Sequence, residues 1–260
     1  MEHEPAIDPF SAMEMMICTA ARLFRDETTC FIGTGIPMLA ASLAQRRQAP
    51  NLVPVFEFGG MGAILEDLPM AVGEARTFHK ALHASGICDT MEAAARGFID
   101  YGFLGGAQID PYGNLNSTII GPQHHPPKVR LPGSGGANDV GSLCWRTIII
   151  IRHSKRSFVP RVDFVTTPGY LTGPGAREAA GLPPGTGPLY VVSTLALLGF
   201  DDETKRMKLL KTQPGVTVDD VLAETGFELM VPDDVAVSEP PSAEELRILR
   251  EEVDRQRLYI

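Results

Sequence analysis

Glu57 is the first side chain whose setting could carry chemistry. It lies in Val55-Phe56-Glu57-Phe58-Gly59-Gly60, at the end of an apolar, strand-like run that closes on two glycines. In open parallel α/β sheets, ligands gather outside the carboxyl ends of strands. A carboxylate there is placed to meet a ligand whose bulk needs open backbone. The competing reading is a strand-end glutamate that points into solvent.

Two glycine turns accompany it. Gly33-Thr34-Gly35-Ile36-Pro37 bares backbone N–H groups between a strand and a helix, which is a natural anion site. It lacks the third glycine of a dinucleotide fingerprint, which counts against a nicotinamide-dependent oxidoreductase; a plain βα turn fits it equally. Gly133-Ser134-Gly135-Gly136-Ala137-Asn138 allows close approach of backbone to a ligand and can present N–H donors to an oxyanion; an ordinary irregular turn is the alternative. His124-His125 invites a metal reading, but adjacent histidines seldom share one ion and no third ligand is suitably spaced, so no metal is expected. Lys128, Arg130, Arg152, Lys155 and Arg156 are either a solvated face or contacts for phosphate or carboxylate.

The elements that must carry these residues alternate. Residues 11–25 read as an amphipathic helix capped by Ser11, then TCFIG as a strand, the glycine turn, and a helix with Pro37 in its first turn. NLVPVFEFGG is a strand ending in glycines, residues 90–99 a helix, and DYGFLGGAQID another strand. This order predicts an α/β fold, an open and mostly parallel sheet with helices on both faces. Residues 121–141 read as one long functional loop. TIIII resumes as a buried strand. LYVVSTLALLGFD and KRMKLLKTQPG read as two strands joined at Asp201–Lys205. Residues 217–226 form a helix, and a surface helix begins at Ser242, with Glu245 at capping-box spacing. With no repeat or linker, residues 1–260 read as a single domain.

Composition narrows the partners. The chain has 260 residues, 44% hydrophobic and 21% charged, the profile of a folded soluble protein. A net charge of −9 argues against nucleic acid. No apolar run reaches the ~18–20 residues of a membrane span. The N-terminus is acidic and proline-bearing, unlike a signal peptide, so a cytoplasmic protein is expected. Cys18, Cys30, Cys88 and Cys144 are irregularly spaced and read as reduced core or boundary thiols.

Several segments together resemble a known family. GTGIP, APNLVPVFEFG, FLGGAQIDPYGNLNST, PGSGGAN and DFVTTPGYLTGPGAREAAGLP are similar to the β subunits of family I CoA-transferases, nearest the glutaconate CoA-transferase branch. The resemblance spans nearly the whole chain. It implies that Glu57 is a covalent nucleophile that becomes a glutamyl–CoA thioester. It implies that Gly135, Gly136 and Ala137 help accommodate the thioester, and that Gly33, Thr34, Gly35, Ile36 and Pro37 line the CoA side. CoA would be a substrate, no cofactor would be needed, and an α subunit of the same fold would complete the active site. A short dicarboxylate such as glutaconate is the implied acyl group. Phe58 departs from the small or polar residue that usually follows the glutamate, a difference that bears on the acyl group. Relatives of this fold include steroid-ring hydrolases without the glutamate and 3-methylglutaconyl-CoA decarboxylases with a cysteine there. The glutamate retained here favours transfer over hydrolysis or decarboxylation.

Overall fold

The computed structural model describes residues 9–122 and 126–260. Its first helix follows directly from two residues: the Ser11 hydroxyl accepts from Glu14 N–H, and the Glu14 carboxylate accepts from Ser11 N–H. That closed capping box starts α1 (Ala12–Ala21). Strand β1 (Thr29–Ile32) and helix α2 (Ile36–Gln45) then flank the Gly33–Pro37 turn. Next come β2 (Val53–Val55), β3 (Gly60–Met61), β4 (His83–Ala84), α3 (Ile87–Ala95), β5 (Tyr101–Gly105), β6 (Gln108–Ile109), β7 (Leu115–Asn116), β8 (Ile119–Ile120) and β9 (Val129–Arg130). The second half carries α4 (Ala137–Leu143), β10 (Arg146–Ile151), α5 (Ala176–Ala179), β11 (Gly187–Ser193), β12 (Ala196–Phe200), β13 (Met207–Thr212), α6 (Val218–Ala223), β14 (Ala236–Val237) and α7 (Ala243–Ile248).

Ten strands form one sheet in the order β14-β13-β12-β11-β10-β5-β1-β2-β3-β4. The centre, from β11 to β2, is parallel throughout. The expected α/β architecture therefore holds where strands and helices alternate. The flanks include antiparallel pairs: β11 with β12 and β12 with β13 on one side, β2 with β3 and β3 with β4 on the other.

Strand periodicity sorts the core into two layers. Cys30, Ile32, Phe103, Ile148 and Ile150 face α1, α2 and the C-terminal helix, meeting Met16, Leu39, Leu43 and Leu249. Phe31, Leu104, Ile149 and Ile151 face the other way and meet Ala94 of α3, Val140 of α4 and Val221 of α6. A run such as Ile148–Ile151 is apolar at every position because both faces are covered.

Four local expectations are corrected. LYVVSTLALLGFD folds back as the β11–β12 hairpin, with Val191 opposite Leu198. No Gly or Pro marks the bend; instead the Ser193 hydroxyl accepts from Leu195 N–H (3.3 Å) and Ala196 N–H (3.0 Å), so a side chain does the work of a turn residue. DYGFLGGAQID breaks after Gly105, and β6 joins a separate ribbon with β7. Residues 121–141 are not one loop: β9 pairs with β8, and α4 begins at Ala137. The helix begun by Ser242 buries Leu246 and Ile248, and continues through a π-type turn that buries Leu249 and Val253, so it is a packing element rather than a surface one. Among the described residues, no helix is long and apolar enough to cross a membrane.

Candidate functional site

Glu57 sits past the end of β2, in a tight turn closed by Gly59 N–H donating to Phe56 C=O (2.9 Å) and Phe56 N–H donating to Gly60 C=O (2.8 Å). The turn requires its glycines. Gly59 has φ +113°, and a Cβ there would stand 2.2 Å from the Ser85 carbonyl oxygen; one on Gly60 would stand 2.0 Å from that of Thr77. Backbone packed directly on backbone fixes where Glu57 emerges. Phe56 is fully buried beneath it, and Phe58 is half-exposed beside it.

The Glu57 carboxylate meets the second glycine loop. A Cβ on Gly136 would stand 3.1 Å from Cδ and Oε1 of Glu57, and one on Gly135 would be 3.8 Å from Oε2. Glu57 is half-buried and makes no hydrogen bond or ion pair with any described residue. It opens into a cavity of about 340 Å³ whose walls include Phe31, Ile32, Val72, Leu104, Ala137 and Val140. Gly33, Thr34 and Pro37 contribute from the first glycine turn, and Ser134 and Gly136 from the second. Two turns separated by about a hundred residues, both singled out in the sequence, thus share one cavity with Glu57.

Three of the expected residues stand back from that wall. Gly35 is the N-terminal cap of α2, with φ +81°, and its carbonyl accepts from Met38 and Leu39 N–H. Ile36 packs on the core, and Gly135 is exposed beside the carboxylate. Val72, Leu104 and Gly105 line the cavity without having been singled out. Leu104 and Gly105 had a signal, the strand exit FLGG; Val72 lies on a loop with none.

The glycine loop is held from behind by the asparagine-rich motif. Gly133 N–H donates to Ser117 C=O, and the Ser117 hydroxyl donates to Gly133 C=O, both at 2.9 Å. Thr167 Oγ1 donates to Ala137 C=O (3.2 Å). Arg177, 2% exposed, donates to the carbonyls of Gly141, Pro168 and Gly169 and to Thr186 Oγ1. These contacts anchor α4, whose first turn places Gly136 against Glu57.

Other candidates fall away from the cavity. Lys128, Arg130, Arg152, Lys155 and Arg156 are exposed and do not line it. Cys18, Cys30 and Cys144 are buried, and burial pushes the Cys18 and Cys144 thiols up to about 12, so they are poor nucleophiles. Cys88 is exposed. His124 and His125 lie outside the described residues; among those described, no cluster of His, Cys, Asp or Glu could hold a metal.

Comparison with known proteins shows the family of the chain. The Coenzyme A transferase family model matches residues 13–224. The chain is 39% identical to the B subunit of glutaconate CoA-transferase from Acidaminococcus fermentans, over 96% of this chain and 95% of that one. It is 35% identical to the B subunit of 3-oxoadipate CoA-transferase from Pseudomonas knackmussii, over 93% and 92%. The crystal structure of glutaconate coenzyme A-transferase from A. fermentans superposes with a TM-score of 0.92 at 37% identity, covering 98% of each chain. The chain belongs to the coenzyme A transferase family and is similar throughout its length to the B subunits of heteromeric CoA-transferases.

Proposed function

We propose that this chain is the nucleophile-bearing subunit of a heteromeric CoA-transferase, with Glu57 as the group that carries first the acyl unit and then CoA. The observation that carries this reading is the state of the Glu57 carboxylate. It faces a cavity, lies against the glycine loop, and has no described partner to satisfy or immobilise its oxygens.

In the first step a Glu57 oxygen attacks the thioester carbonyl of the donor. The C–S bond breaks, CoA leaves as its thiolate, and a glutamyl–acyl anhydride forms. The thiolate then attacks the glutamyl carbonyl, the donor acid departs as a carboxylate, and a glutamyl–CoA thioester remains. The acceptor carboxylate attacks that thioester and displaces CoA thiolate again. The thiolate attacks the acceptor's acyl carbonyl and frees the Glu57 carboxylate. This is nucleophilic catalysis with ping-pong kinetics. Residues of the two glycine turns, Gly33 to Pro37 and Gly135 to Ala137, would approach CoA and the thioester with bare backbone, their N–H groups available to developing oxyanions.

Short dicarboxylates such as glutaconate are the proposed acyl groups, after the relatives' names, and an α subunit is the proposed partner that completes the site. CoA enters as a substrate rather than a resident cofactor. Borohydride added to the assembled enzyme with acyl-CoA should reduce the Glu57 thioester to an alcohol, visible by peptide mass spectrometry, and abolish activity. Robust transfer with unmodified Glu57 under those conditions would refute the covalent route. Release of free CoA or CO₂ without transfer to acetate would identify a hydrolase or decarboxylase instead.

A further inference from the structure

Phe58, next to Glu57 in the chain, does not line the cavity beside it. Its ring covers Gly73: a Cβ there would stand 3.2 Å from Cγ and Cδ1 and 3.3 Å from Cδ2. Three nearly equal distances place Gly73 over the face of the ring, at a separation only glycine accepts without displacing it. The next residue back, Val72, does line the cavity.

Val72 differs from the other apolar wall residues. Phe31, Ile32, Leu104, Ala137 and Val140 stand on strands or on α4, where backbone ladders fix them. Val72 is half-buried on a loop, held by two contacts. One is the Thr77 hydroxyl, fully buried and within hydrogen-bond reach of the carbonyls of Val72 (3.2 Å) and Glu74 (2.7 Å). The Thr77 carbonyl in turn packs on Gly60, in the turn that carries Glu57. The other is made one residue on, where the Phe58 ring covers Gly73. The wall and the nucleophile are thus tied into one closed circuit of contacts, Glu57-turn to Thr77 to Val72, and Gly73 back to Phe58.

We infer that Val72 sizes the acyl group held against Glu57, and that Phe58 is the positioning residue that sets how far Val72 reaches into the cavity. The inference rests on the reading of Glu57 as the acyl carrier. A side chain on a loop is the part of the wall that can be retuned without disturbing the sheet, and Phe58 retunes it from outside the cavity.

The test uses the enzyme assembled with its α subunit, acetate as acceptor, and acyl-CoA donors that are straight-chain, branched at C3, or dicarboxylic. The readout is the ratio of kcat/KM between bulky and slim donors, with borohydride trapping of Glu57 alongside. Val72→Ala should shift the ratio toward branched donors by about 10-fold or more, the scale set by removing hydrocarbon from a binding pocket. Phe58→Ala should shift it the same way by a smaller factor. The double variant should not exceed Val72→Ala, because both act through one wall. Phe58→Tyr, which keeps the ring, should restore the original ratio. Ratios unchanged in Val72→Ala, or a Phe58→Ala enzyme that slows every donor equally, would overturn the inference. Val72→Ala leaves the ring in place and decides alone if Phe58→Ala does not assemble. Trapped Glu57 with flat ratios removes the size filter only; untrapped Glu57 with active transfer removes the acyl-carrier reading and the filter with it.

Discussion

Two carboxylates, Glu57 and Asp110, stand just beyond short strands in glycine-bearing turns, and they have opposite fates. Asp110 is 5% exposed. Its Oδ1 accepts from the N–H groups of Tyr112 (3.0 Å) and Asn114 (3.1 Å), and Asn114 Nδ2 reaches both oxygens. Asn114 passes the restraint on, accepting from Gly169 and Leu171 N–H and donating to Leu171 C=O. Burial pushes the Asp110 carboxyl up, against the pull of these donors. Glu57 has no such partners among the described residues. Asp110 is therefore a fixed part of the loop it holds, while Glu57, on the proposed reading, carries the reactive group. A carboxylate with its acceptors filled fixes a loop; one left unfilled at a cavity mouth is free to react.

Substituting each carboxylate should separate the two roles. Glu57→Gln should lower transfer by on the order of 10⁶-fold, the scale on which enzymes lose rate when a covalent nucleophile is removed. Its unfolding free energy should change by no more than ~0.5 kcal/mol, since Glu57 bonds no described residue. Asp110→Ala should do the reverse. Stripping a buried acceptor from three donor groups should cost about 3–4 kcal/mol in urea unfolding, with turnover per folded molecule retained. A Glu57→Gln chain that melts early, or an Asp110→Ala chain that is stable and inactive, would invert the assignment.

How much of this was legible in the sequence depends on the range of the signal. Ser11 with Glu14, Thr217 with Asp220 and Ser242 with Glu245 all form the capping boxes their spacing allows, because that signal is complete within four residues. The parallel centre was legible because alternation of elements dictates it. The β11–β12 hairpin was not, because Ser193 makes the bend by hydrogen bonds that leave no mark of Gly or Pro. At the site, residue chemistry alone left Glu57 undecided; the resemblance across the chain chose it. Nothing local reports that Gly136 meets a carboxylate 79 positions earlier, or that Val72 lines the same cavity. Those contacts exist only once the sheet orders β5 between β1 and β10.

Acid should probe the scaffold side of the contrast. His153 is buried, stacks on Phe158 at 3.8 Å, and hydrogen-bonds Ser193 Oγ (2.8 Å) and Thr225 Oγ1 (3.0 Å). Burial lowers its pKa to about 4. The unfolded chain takes up the proton near pH 6.5 and the folded one only near 4, so the neutral ring's contribution is complete above about 6.5. It is lost as pH falls from there toward 4, by up to ~3 kcal/mol. His153→Gln should flatten the stability–pH curve across that window. A curve of unchanged slope would show that another group titrates there.

The smallest and most discriminating change is one methyl group at the loop that touches Glu57. In Gly136→Ala the new Cβ would stand 2.6 Å from Met91 Cε and 3.1 Å from the Glu57 carboxyl. Met91 Cε is the flexible end of a half-buried side chain and can swing away, so the fold should lose little. The carboxylate must also give way, by a few tenths of an ångström. Misplacing a reacting group by about 1 Å can cost on the order of 100-fold, so a shift of this size should lower kcat by about 10-fold. KM for acyl-CoA should change less than kcat, because the methyl meets the proposed nucleophile rather than the bulk of the ligand. A rise in KM at constant kcat would instead make Gly136 a contact for CoA, leaving the position of Glu57 independent of the loop that covers it.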